Sequence, residues 1–194
     1  YSRVSRHGLI AYASTFDQIG ICANNIKDTS IVLEVISGKD EYDSTVSSIP
    51  VPNFTEVKKI KKDIKIAYIT EYLENKQLDL EIKECIQSQI KKIKEKDIII
   101  KPISFPYLEY LVPTYYVITT AEASSNLSRY DGIHYGYRSK KSKDLETTYI
   151  KSRTEGFGKE VKRRIMLGNF VLKSEYHDSY FSKAQKIRKI IRDK

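Results

Sequence analysis

A chain of 194 residues with 34 Lys and Arg against 25 Asp and Glu carries a formal net charge of +9. Its hydrophobic content of 40% is enough for a packed core and excludes an intrinsically disordered chain. Two Cys exclude a disulfide scaffold, and no apolar run reaches the roughly 18–20 residues that a membrane span needs.

Residues 1–20, YSRVSRHGLIAYASTFDQIG, are rich in Gly, Ser and other small residues and read as loops around one short strand. Asn24 or Asn25 is a fair N-cap for a helix through Ile26, Ile31, Val32, Val35 and Ile36, with Ser37-Gly38 as its stop. Residues 39–57 have no periodic apolar pattern and form a connection, with DSTVSSIPVP extended. IKIAYIT at 64–70 reads as a strand. Leu78, Ile82, Ile86, Ile90 and Ile93 then recur at steps of four, four, four and three, which predicts a long amphipathic helix. DIIIKPISF at 97–105 reads as a second strand, so the three elements form a βαβ unit with parallel pairing. Residues 113–129 form a small-residue helix after Pro113, followed by a polar loop in which Gly132 and Gly136 are breakers. Helical patterning resumes near Thr147 and is cut by Gly156-Phe157-Gly158. It continues through Val161, Ile165, Leu172, Tyr176, Tyr180, Ala184, Ile187 and Ile191 as one or two helices, with Gly168 a candidate break. The class is α/β with a helix-rich second half and no internal repeats.

The positive charge points to a polyanionic partner, but its make-up argues for a blander cause. Lys outnumbers Arg by 25 to 9, and 26 Ile stand against 7 Ala, which is the pattern of a general compositional bias. The Lys residues at 58–65 and 91–101 alternate with Ile, as on a solvated helix face, and no cluster of Arg with stacked aromatics marks a nucleic-acid reader.

Chemistry is sparse. His7, His134, His177, Cys22 and Cys85 are too far apart for a metal-ligand spacing, and both Cys read as small buried apolar residues. Ser88 and Lys91 match a Ser-x-x-Lys pattern, but a nucleophile needs a desolvated Lys and these sit on a solvated flank. No Gly-x-Ser-x-Gly, phosphate-loop or dinucleotide motif occurs. More informative are Glu122, Ser124, Ser125 and Asn126 on the small-residue helix, the RYDGIHYGYR segment with Arg129, Asp131 and Arg138, and the pair Arg163-Arg164 after a Gly-flanked turn. Adjacent helical residues point about 100° apart, so Arg163 and Arg164 must differ in exposure. A guanidinium fork suits a carboxylate.

Five blocks then carry a resemblance: SRVSRHGLIAYASTFDQIG, VLEVISGKDEYDST, YYVITTAEASSNLSRYDGIHYGYR, SRTEGFGKEVKRRIMLGNFVL and YFSKAQKIRKIIRD. Together they resemble the amidase signature family, in the branch formed by the A subunits of tRNA-dependent amidotransferases, essentially end to end. The resemblance implies a mixed central sheet flanked by helices, with residues 1–194 an internal portion of one amidase domain truncated at both ends. The start at Tyr1, with Met166 the one Met, fits that expectation.

The activity it implies is hydrolysis of glutamine to ammonia, which converts Glu-tRNA(Gln) to Gln-tRNA(Gln) in the cytoplasm. The implied partners are the B and C subunits of a heterotrimeric amidotransferase. The misacylated tRNA is held mainly by the B subunit, with ATP and Mg²⁺ used at the partner. No metal or cofactor belongs to this chain. The Ser/cis-Ser/Lys triad of the family falls before the segment that matches Tyr1, so no nucleophile is nominated and the isolated segment is expected to be inactive. Two substrate contacts carry over by motif: Tyr115, first of the YYVI pair, at the glutamine pocket, and Arg164, second of the KRR run, at the glutamine α-carboxylate. Ile21 and Asn24 stand where the family carries Pro and Arg, and Tyr68–Leu73 lacks the family's Pro. An amidase-signature hydrolase of small amides without tRNA is the alternative, and a non-catalytic basic module a third reading.

Overall fold

The computed structural model describes residues 1–56, 64–96 and 98–194. The Lys/Ile-rich stretch 58–63, read above as a solvated face, lies outside the described residues, as does the first residue of the expected second strand, Asp97. The chain divides into two compact units, residues 56–111 and residues 1–55 with 112–194.

In the unit 56–111, strands β1 (Lys65–Ile69) and β2 (Ile99–Ile103) pair in parallel, in register from Lys65 opposite Ile99 to Ile69 opposite Ile103. A short helix, α2 (Thr70–Glu74), leaves β1 directly, and α3 (Leu80–Lys94) supplies the expected crossover. Helix α3 starts at Leu80 because the Asp79 carboxylate accepts the N–H groups of Glu81 and Ile82 at 2.9 and 3.4 Å. Glu71 ties the strand ends together. It accepts the Ser104 hydroxyl and the Phe105 N–H (2.9 Å), and the Ser104 bond leads in holding its carboxyl below the usual range. Ser88 and Lys91 are exposed on α3, as the solvated-flank reading requires. Cys85 is also exposed, as is Cys22 in the irregular stretch before α1 (Ile26–Ile36), so neither is the buried apolar residue expected. A two-stranded sheet covers only a narrow stripe of α3; even Ile82 and Ile86 stay exposed.

The other unit opens without a strand. Val4 and Ser37 form an isolated antiparallel bridge, and residues 44–53 have no ladder. Side chains take the backbone groups that a ladder would have used. Asp17 accepts the N–H groups of Tyr12 (2.9 Å) and Ala13 (3.1 Å), and Arg6 donates to the carbonyls of Ser14 and Asp17. Helix α1 begins on an Asn25 cap, whose side chain accepts the Asp28 N–H at 2.9 Å. None of its residues is buried, and Ile26 is 82% exposed.

Helix α4 (Leu108–Leu127) starts five residues before the expected Pro113 and carries that Pro inside it. Proline there removes a single backbone donor close to the helix start, and Leu108, Leu111 and Val112 still extend the helical pattern. The core gathers on α4: Ile118, Ala121, Ala123 and Leu127 are buried with Ala13, Val171 and Ala184. Helix α5 (Leu145–Gly156) opens on a capping box between Asp144 and Thr147. After the expected Gly-Phe-Gly cut come α6 (Lys159–Leu172), α7 (Ser174–His177), a π-helical turn (Asp178–Ser182) and α8 (Lys183–Arg192).

Gly168 does not break this run. It is buried in α6, where a Cβ would lie 2.0 Å from the Thr120 carbonyl oxygen and 2.5 Å from Ser124 Cβ. It is the point where α6 crosses α4, and the break falls at Lys173, whose backbone is extended. Among the described residues no helix is long and apolar enough to cross a membrane.

Candidate functional site

Glu122 and Asn126 of α4 grip residues 12–17, Ser124 is buried against α6, and Ser125 is exposed. Asn126 Nδ2 donates to the Tyr12 carbonyl and to Ser14 Oγ, both at 3.1 Å, while its Oδ1 accepts from Arg129 at 2.8 Å. Glu122 accepts both the N–H (2.9 Å) and the hydroxyl (2.5 Å) of Thr15. Ser124 Oγ donates to Asn169 Oδ1 at 2.7 Å and joins α4 to α6. From α8, Arg188 donates to Thr15 Oγ1 at 3.1 Å and lies over the Phe16 ring. The small-residue helix singled out in the sequence is thus a seat for the loop, with Ala13 buried at its centre.

Beside this loop, Tyr116, Thr120, Arg163, Arg164 and Leu167 line a cavity of about 250 Å³. Glu160, one turn back on α6, holds both arginines. Its carboxylate accepts Nε and Nη2 of Arg163 and Nε of Arg164, each at 2.9 Å. The side chains of the pair differ as expected, Arg163 being 70% exposed and Arg164 34%. Arg164 Nη1 donates to the Tyr12 hydroxyl at 3.1 Å. Its Nη2 has no partner among the described residues, which leaves N–H donors free for a ligand. The Tyr12 and Glu160 bonds push the Arg164 guanidinium to a still higher pKa, so it is charged at every working pH.

Tyr115 does not line this cavity. Adjacent helical positions diverge, and its ring sits edge-on to Tyr116 (5.6 Å between centroids) and to Phe16 (5.7 Å). The structure therefore joins Arg164 to Tyr116 and places Tyr115 next to that ring. Tyr12, Tyr116 and Glu160 escaped the sequence reading. Glu160 was within reach, since it stands three and four residues before the arginines; nothing local marks Tyr12.

The arginines hold the Glu160 carboxyl at about 2, with the Arg163 bond as the larger cause. A depressed carboxylate adds stability that is complete above its unfolded value and is lost as the pH falls through the folded one. The difference in melting temperature between wild-type protein and Glu160→Gln is therefore expected to be constant above about pH 5 and to shrink below about pH 4. A pH-independent difference down to about pH 3 would show that the carboxylate is not ion-paired.

A larger cavity of about 350 Å³ lies among Arg6, His7, Leu9, Asp17, Tyr42 and Asp43. Its charges are already paired with the protein: Arg6 with Ser14, Asp17 and Thr45, and Asp43 with Thr45 and the Arg6 N–H. In the RYDGIHYGYR segment, Asp131 faces His134 Nδ1 at 2.7 Å and accepts the Ile133 and His134 N–H groups at 2.8 Å. The His134 ring leads in holding that carboxyl far below its usual range, and the arrangement folds a turn. Among the described residues no three His, Cys, Asp or Glu side chains converge as a metal site.

The chain is 51% identical to the A subunit of glutamyl-tRNA(Gln) amidotransferase from Fusobacterium nucleatum over 99% of its length. It is 50% identical over its whole length to that of Staphylococcus aureus. It spans about two fifths of those relatives, 39% and 40% respectively. The crystal structure of the Thermotoga maritima A subunit of glutamyl-tRNA(Gln) amidotransferase matches all of the chain and 37% of its own, with a TM-score of 0.65 at 33% identity. A crystal structure of an amidase shares the fold with a TM-score of 0.68 at 18% identity, over 99% of this chain and 35% of its own. The profile of the Amidase family matches residues 1–194, and the chain belongs to that family.

Proposed function

We propose that this chain is part of the glutaminase subunit of a tRNA-dependent amidotransferase, an internal portion of a longer amidase domain. The glutaminase hydrolyses glutamine, and the ammonia converts Glu-tRNA(Gln) to Gln-tRNA(Gln) in an ATP-dependent reaction of the full complex. The observation that carries the reading is end-to-end similarity, at about half identity, to proteins named as the A subunit of that enzyme. The cavity at Arg164 adds chemistry of the right kind, a charged guanidinium with unpartnered N–H donors for the α-carboxylate of glutamine. In this reading Arg164 is the glutamine contact in that cavity, Tyr116 is one of its walls, and Tyr115, outside the lining and edge-on to the Tyr116 ring, is the second glutamine contact. On the same reading the serine that attacks the amide, with the bridging cis-serine and the lysine that activate it, precedes the segment that matches Tyr1. The B and C subunits are the partners, ATP and Mg²⁺ act at the partner, and the complex works in the cytoplasm.

The test is reconstitution. The complete protein, produced with its two partner subunits and given glutamine, ATP and Glu-tRNA(Gln), is expected to form Gln-tRNA(Gln), with glutaminase activity that depends on the partners. Full-rate hydrolysis of small amides without partners and no amidated tRNA would favour the alternative, an amidase-signature hydrolase unconnected with tRNA.

A further inference from the structure

Arg164 is held from two directions, and the second comes from a distant part of the chain. Glu160, on the same helix, accepts its Nε at 2.9 Å; Tyr12, 152 residues away, meets its Nη1 through the phenolic oxygen at 3.1 Å. Glu160 is itself immobilised by the two bonds it receives from Arg163. Tyr12 is fixed at the backbone: its N–H bonds Asp17 at 2.9 Å, and its carbonyl accepts from Asn126 at 3.1 Å. The phenol is thus aimed by the loop and by α4, not by the helix that carries the arginine.

We propose that Tyr12 is a positioning residue that fixes the Arg164 guanidinium so that its free Nη2 side faces a ligand carboxylate in the cavity. This rests on the reading of Arg164 as the carboxylate-binding group. A long Arg side chain tethered at Nε alone keeps its freedom to swing about the outer bonds. A second anchor at Nη1 sets the plane of the fork before the ligand arrives, and affinity gained this way comes from pre-organisation and not from a new ligand contact. The Tyr12 hydroxyl is the part that acts, since a phenylalanine would keep the ring and the loop.

The test uses the complete enzyme and a double-mutant cycle. Tyr12→Phe is expected to raise the glutamine KM roughly three- to tenfold, as loss of one such hydrogen bond does, with kcat changed less than about twofold. In an Arg164→Lys background the same substitution should raise KM no further, because the group it positions is gone. An equal rise in both backgrounds would overturn the proposal, because a loop that merely loosens would act regardless of residue 164. A rise with Arg164→Lys but none with Tyr12→Phe would sink the positioning role and leave the carboxylate reading standing. No rise with Arg164→Lys would remove both.

Discussion

Gly168→Ala is expected to destabilise the folded protein by about 3 kcal/mol, although alanine is the better helix former by about 1 kcal/mol. The reason is the crossing of α6 over α4. The new Cβ would sit 2.0 Å from the Thr120 carbonyl oxygen, and real Cβ atoms essentially never come within 3.0 Å of such an atom. A backbone oxygen cannot rotate aside as a flexible side chain can, so the helices must part by about 1 Å and the packing of Ile118, Ala121 and Val171 loosens with them. Denaturant unfolding of the complete protein measures the loss. Gly20→Ala is the control, since nothing lies within 4 Å of a Cβ there, and it should stay within about 0.5 kcal/mol of wild type. If Gly168→Ala proved as stable as that control, the helix crossing would be wrong. Arg164 is one turn before Gly168 on the same helix, so the substitution should also weaken glutamine binding.

Arg164→Lys is expected to raise the glutamine KM of the complete enzyme about 30-fold, equivalent to about 2 kcal/mol, with a smaller effect on kcat. Lysine keeps the charge and loses the planar fork, so two directed N–H bonds to a carboxylate become one and the anchors at Tyr12 and Glu160 lose their partner. The helix itself should hold. Glu160 keeps both bonds from Arg163, and the side chain of Arg164 lies at a cavity wall and not in the core. Unfolding stability should therefore change little while affinity falls. An unchanged KM would refute the assignment of Arg164 to the glutamine carboxylate.

Periodicity located most elements because it is a local signal. The four-residue steps of Leu78 to Ile93 marked α3, the apolar runs around it gave two parallel strands, and Gly156-Phe157-Gly158 separated α5 from α6. Glycine was misread where its reason was tertiary. Gly168 looked like a helix break because nothing in the sequence shows the Thr120 backbone lying against it. The expected strand near the start failed similarly, since Asp17 and Arg6 satisfy that backbone from the side and no ladder is needed. At the site, the guanidinium fork of Arg164 and the carboxylate one turn before it were readable, and the resemblance singled out Arg164. Tyr12 was not, because its role depends on an approach across 152 residues. Tyr115 and Tyr116 are consecutive, and only the helical phase of α4 determines that Tyr116 faces the cavity.

The loop at 12–17 has a consequence for the order in which the protein is made. Its partners are Glu122 and Asn126 on α4, Arg164 on α6 and Arg188 on α8, at separations of 107 to 173 residues. Such contacts contribute nothing until both ends of the chain are present, and they close the longest loops in the unit. During synthesis, then, the segment carrying Tyr12 emerges early and waits. The clasp around Thr15 cannot shut until α8, which carries Arg188, has cleared the ribosome.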